Sequence, residues 1–244
     1  MEVNRDEFGA GVLEGKLYAV GGDGGGDSTV ECLDPVTGMW AAVAPMTVQR
    51  AGLGVATVNG KMYAVGGYYA GTYLNSVECF DPSTAQWSVV APMSTPRYHP
   101  GVAVVDGKLY AMGGQDEGEN SLSSVECFDP STGQWSAVAP MSTARSFHGV
   151  AVADGKLYAL GGEDAFLALS SVECFDPSTG QWSPVAAMST AQHGVGAAVA
   201  GGKLYAVGES SVECFDLSTG QWSAVAAMST PGRSHPAVVS MEAL

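Results

Sequence analysis

The feature that most constrains the fold of this chain is a repeat. The tetrapeptide GKLY, or GKMY in one copy, carries Lys16, Lys61, Lys108, Lys156 and Lys203, which are all the lysines of the 244-residue sequence. A tryptophan follows each lysine: Trp40, Trp87, Trp135, Trp182 and Trp222, again all there are. Cys32, Cys79, Cys127, Cys174 and Cys214 recur in the same way, each after Val-Glu. Arg5, Arg50, Arg97 and Arg145 stand eleven residues before a repeat lysine, and Gln192 takes that slot before Lys203. The period of about 47 residues lies in the range of propeller blades.

Each copy reads as four short strands. In the third, PGVAVV (100–105) turns at Asp106-Gly107, a type I′ hairpin signal, into KLYAMGG (108–114). A polar loop leads to SVECFD (124–129), and the turn PSTG (130–133) to QWSAVAP (134–140). MSTAR (141–145) crosses to the next copy. A sheet of this size cannot bury both faces alone, so the copies must stack around an axis. The chain is expected to be one domain, residues 1–244, with units at about 5–49, 50–96, 97–144, 145–191 and 192–232 and a closing strand at 233–244.

A glycine doublet, a tyrosine-containing strand and a tryptophan at fixed distance resemble the kelch repeat. The subtype SVECFDPSTGQW…VAPMSTxR is most similar to the propeller of the Kelch-like (BTB–Kelch) substrate adaptors of cullin ubiquitin ligases. The resemblance implies an all-β fold, here a five-bladed kelch β-propeller of four-stranded antiparallel blades. It also implies a protein- or peptide-binding function in substrate recognition. Three departures stand out. The family usually has six blades, the BTB and BACK domains have no counterpart in this sequence, and the copies are unusually alike. The last point supports an alternative, a consensus-like or engineered scaffold without a natural partner.

Two segments compete for the innermost place in blade one, Gly9–Leu13 and Pro236–Met241. By resemblance the C-terminal segment is expected to close the ring, leaving the N-terminal copy loosely packed. A monomer is expected, with a strand-swapped dimer as the alternative.

Composition sets the partner class. The net charge of −15 opposes nucleic acid, whose phosphates need Lys and Arg. No run of 18 apolar residues exists, so no membrane helix is expected. The opening MEVNRDEFGA has neither a basic nor an apolar signal region. One cysteine per unit argues against a disulfide framework and for a reducing, cytoplasmic setting. The repeated glutamates (Glu31, Glu78, Glu126, Glu173 and Glu213) are expected to pair with the arginines or to accept backbone N–H bonds between blades.

The functional face is expected where the copies differ: GDGGGDS (22–28), YYAGTYLN (68–75), QDEGENSL (115–122), EDAFLALS (163–170) and the residues after each arginine slot. Candidate partner-binding residues are Tyr68, Tyr69, Tyr73, Tyr98, His99, Gln115, Ser146, Phe147, Glu163, His193, Ser234 and His235. Acids, aromatics and histidines without lysine point to a basic protein or peptide ligand through charge and cation–π contacts. No cofactor is expected. A metal- or sugar-dependent kelch enzyme is the weaker alternative, because the four histidines come from different copies at unequal offsets. In the fifth copy, KLYAVGESSVECFD, most of the loop is missing. Gly208-Glu209 is expected to make a type II′ turn there.

Overall fold

The computed structural model describes residues 1, 3–24, 28–208 and 211–226. These form five four-stranded antiparallel sheets and two small hairpins, with no helix. Each sheet is one repeat. In the third, Gly101–Val105 is innermost, followed outward by Lys108–Met112, Val125–Asp129 and Gln134–Val138. Asp106 and Gly107 have φ of +49° and +69°, the left-handed pair of a type I′ turn. At the outer turn, Asp129 Oδ1 accepts hydrogen bonds from the Ser131 N–H and hydroxyl, so the PSTG sequence holds its own bend.

The sheets stack face to face. Phe128 of blade three packs on Val65, Val77 and Met93 of blade two, and three equivalent cores join blades one to two, three to four and four to five. The tryptophans fasten these seams. The Trp135 ring packs 5.2 Å from Phe128, and its Nε1–H donates to the Ala91 carbonyl of the preceding blade at 2.9 Å. Trp87, Trp182 and Trp222 repeat the bond to Ala44, Ala139 and Ala186. A buried indole thereby contributes apolar area without leaving its donor unpaired.

The arginine slot has an internal role. Arg97 Nη1 donates to the carbonyls of Gly113 (2.8 Å) and Ser124 (2.9 Å), which flank the loop 115–122 on its two sides. Its Nη2 reaches Ser124 Oγ at 2.9 Å and Glu126 at 3.1 Å. Glu126 also accepts from Ser94 and Thr95 of the crossing segment. Burial pushes the Glu126 carboxyl up, but Ser94 and Arg97 outweigh it and hold it below its ordinary value. Both expected roles are therefore realised together in Glu78, Glu126 and Glu173, while Glu213, with no arginine in its slot, accepts the Ser189 and Thr190 N–H groups. Arg5, Arg50 and Arg145 make the same clamp. The cysteines are free thiols, and burial raises Cys79, Cys127 and Cys174 away from the reactive thiolate.

The expected seating of the N-terminal strand is corrected. Gly9–Leu13 occupies the inner seat of blade one, paired along its full length with Lys16–Val20. It is not loosely packed: Leu13 is buried in the core shared with blade two. Its pairing takes up the inner edge of Lys16–Val20, and Gly9 and Gly11 let it lie close against Val55 of blade two. The C-terminal segment 236–241 lies outside the described residues. Small apolar residues of the five inner strands line a central channel of about 320 Å³.

Candidate functional site

The turns on one face of the propeller are short and carry the lysines. Lys61 and Lys156 pair with Asp81 (2.7 Å) and Asp176 (2.9 Å), and Lys108 and Lys203 with Asp129 and Asp216 (3.5 Å each). Ser83 and Ser178 add hydrogen bonds, and with the lysines they lower Asp81 and Asp176 to about 2. The described arginines are buried in the clamps. The described lysines and arginines are thus committed to the scaffold or to the far face.

The opposite face carries the loops that differ. Two of them are hairpins rather than irregular loops: Tyr68–Tyr69 pairs with Thr72–Tyr73, and Glu163–Asp164 with Leu167–Ala168. Ala165 and Phe166 both have positive φ at the second tip, which leaves Phe166 and Leu167 exposed. In the fifth copy Gly208 N–H donates to Ser211 O at 3.0 Å, closing the neck directly. Gly208 does not have positive φ, so it flanks the turn and is not its first central residue, contrary to the type II′ expectation. Glu209 and Ser210 lie outside the described residues.

At the mouth of the channel the repeat sets a ring. The residue two places after each arginine slot is left-handed: Glu7, Gly52, His99, Phe147 and Gly194 have φ between +49° and +60°. Gly52 N–H donates to Glu7 O, and His99 N–H to Gly52 O, each at 2.8 Å. Gly52 leaves room for its neighbours Tyr98 and His99. A Cβ on Gly52 would stand 2.3 Å from Tyr98 Cε2. Tyr98 therefore arches over blade two, and its hydroxyl donates to Glu7 Oε2 of blade one at 2.7 Å. Burial, then this carboxylate, raises the Tyr98 phenol well above its ordinary range. His99 lies 3.5 Å from the same oxygen and stacks between Tyr98 and Phe147, each at 4.1 Å. Tyr68 and Tyr73 pack on Tyr98 at 5.6 and 5.5 Å.

Of the expected site residues, Tyr68, Tyr69, Tyr73, Tyr98, His99 and Phe147 share this mouth and its rim. Glu163 is half-buried and 3.5 Å from Gln115 Nε2. Gln115 and Ser146 are not available surface: Gln115 is buried, and Ser146 is fully buried with its hydroxyl on Ser121. His193 is exposed. Ser234 and His235 lie outside the described residues. Glu7 was missed as a site residue because the segment before Gly9 reads as frayed. Its equivalence to His99 in the repeat is the signal that locates it. His148 lies beneath the mouth; burial, then Arg145 and Arg97, lower it to about 3. No group of three His, Cys, Asp or Glu among the described residues is placed to hold a metal ion. Among the described residues no helix is long and apolar enough to cross a membrane.

Five blades around a channel, with short turns on one face and divergent loops on the other, define a repeat β-propeller. The kelch motif matches residues 4–47, 49–94, 96–142 and 144–189, and the chain belongs to the kelch-repeat family. The solved structure of YjhT is similar in fold, with a TM-score of 0.86 at 16% identity over 96% of this chain and 87% of that one. No curated protein matches the sequence.

Proposed function

We propose that the loop face binds a protein or peptide segment of basic character, the role a propeller plays in a Kelch-like ubiquitin-ligase substrate adaptor. The observation that carries this reading is the Tyr98–Glu7 bridge, which holds a carboxylate inside a cluster of aromatic rings on the face opposite the lysines. Asp116 and Glu119 stand close enough to Tyr73 to raise its phenol, after burial, so the negative field extends across blade three. Such a field draws cations in and aromatic faces hold them. The exposed Phe166 and Leu167 add an apolar contact on the same face. In this reading the chain is a cytoplasmic, monomeric, non-catalytic module that needs no cofactor and takes neither nucleic acid nor membrane.

The test is fluorescence anisotropy with Lys/Arg-rich and Asp/Glu-rich peptides of equal length at low and high salt. Binding of the basic peptides that weakens with salt is expected. Equal binding of both classes would refute the reading.

A further inference from the structure

Beside the channel mouth lies a recess of about 310 Å³ whose walls include Tyr68, Tyr69 and Tyr98, with Ala51 between them and two acids, Glu7 and Asp23, at its border. Resting on the reading above, we propose that this recess accepts one alkylammonium group, the side chain of a lysine or of its methylated forms, from the bound segment.

The construction comes from three parts of the chain. Asp23 is fixed by a two-way backbone bridge to Asp6, whose next residue is Glu7 (Asp6 N–H to Asp23 O 3.1 Å, Asp23 N–H to Asp6 O 2.8 Å). Tyr68 is fixed by a second such bridge to Ala51 (3.0 and 2.8 Å). Tyr98 is held by its hydrogen bond to Glu7 and by the rings of Tyr68 and Tyr73. The aromatic walls are therefore set before any ligand arrives, which lowers the ordering cost of binding. Arg50 contributes to the lining, but its side chain is fully buried on Glu78 and places no free cation in the recess.

The chemistry selects a compact cation. Ring faces attract an ammonium through their quadrupole, and methylation preserves that attraction while removing N–H donors. The two carboxylates come from different backbone segments joined by a single bridge. A guanidinium fork needs both oxygens of one carboxylate, but Glu7 Oε2 already accepts from the Tyr98 hydroxyl and Asp23 Oδ1 from the Gly24 N–H, so the pair offers charge to a point-like head instead. An acyl-lysine keeps the alkyl stem but is neutral at its head and offers no charge to either element.

The experiment titrates the full chain with peptides that differ at one residue: lysine, trimethyl-lysine, arginine and acetyl-lysine. Trimethyl-lysine is expected to bind at least as tightly as lysine, and acetyl-lysine about tenfold more weakly. Tyr69→Ala, at an exposed residue outside the ring contacts, is expected to erase most of that difference while leaving the melting curve unchanged. If basic peptides bind but acetyl-lysine matches lysine, the recess assignment is overturned and the basic-peptide reading survives. If none of the peptides binds, both fall.

Discussion

Replacing Gln192 with arginine is expected to stabilise the protein. In copies two to four the arginine in this slot meets four acceptors. In blade five the amide is too short to reach them, and both Gln192 side-chain atoms and Ser211 Oγ are buried with no partner among the described residues. Each such group costs about 1–3 kcal/mol. Against this, burying a guanidinium costs several kcal/mol before Glu213 offsets it. The Nε of Arg50, Arg97 and Arg145 also has no partner among the described residues. A net gain of about 2 kcal/mol follows, which raises the melting temperature by about 4–8 °C in a chain of this size. Thermal unfolding by circular dichroism reads it directly. Gln192→Leu is the control, since it removes the unpaired amide without adding the clamp, and a gain of about half is expected. If leucine stabilises as much as arginine, or if arginine leaves the melt unchanged, the clamp contributes nothing and the reasoning is refuted.

Gly52→Ala places a methyl on Tyr98 at a left-handed position; a loss of about 1–3 kcal/mol and weaker binding of basic peptides are expected, read by melting and by anisotropy. Deleting residues 1–13 removes the inner strand of blade one, and a fall in melting temperature of more than about 10 °C is expected; an unchanged melt would show that another segment takes its seat. His148 is held neutral to about pH 3, so the unfolded chain binds its proton first and the stability it contributes is complete above pH 6.5 and lost as pH falls toward 3. Urea midpoints should therefore decline from pH 6.5 downward, before the carboxylates titrate, and His148→Asn should flatten that decline.

The scaffold was legible because the repeat reports each position five times. Strand order, the I′ turns and the Arg–Glu pairing follow from residues that recur, and in the described copies they recur in the structure. What was not legible depends on single copies. Glu7 joins the mouth only because Tyr98, two blades on, crosses a glycine to reach it. Nothing in the local sequence of either residue records that meeting. Ser146 reads as surface by its position after an arginine, yet the loop 115–122 folds over it through Ser121. The seating of blade one was misjudged because two segments carry the same pattern, and only the pairing of Gly9–Leu13 with Lys16–Val20 tells which of them is innermost.

The arginine and the loop of each blade form one device. Arg5, Arg50, Arg97 and Arg145 each bind the two carbonyls where a variable loop leaves and rejoins its sheet. A clamp at the neck lets the residues beyond it diverge without loosening the strands, which is why loops as different as YYAGTYLN and EDAFLALS stand on nearly identical blades. Blade five has almost no loop to hold, and its neck keeps the Gly208 N–H to Ser211 O bond that the other blades make at Gly66–Ser76, Gly113–Ser124 and Gly161–Ser171. There the slot carries glutamine. The short turn in KLYAVGESSVECFD and the missing arginine are then a single departure: once the loop is lost, the clamp's purpose goes with it, and the cost falls on a few unpaired polar atoms rather than on the core.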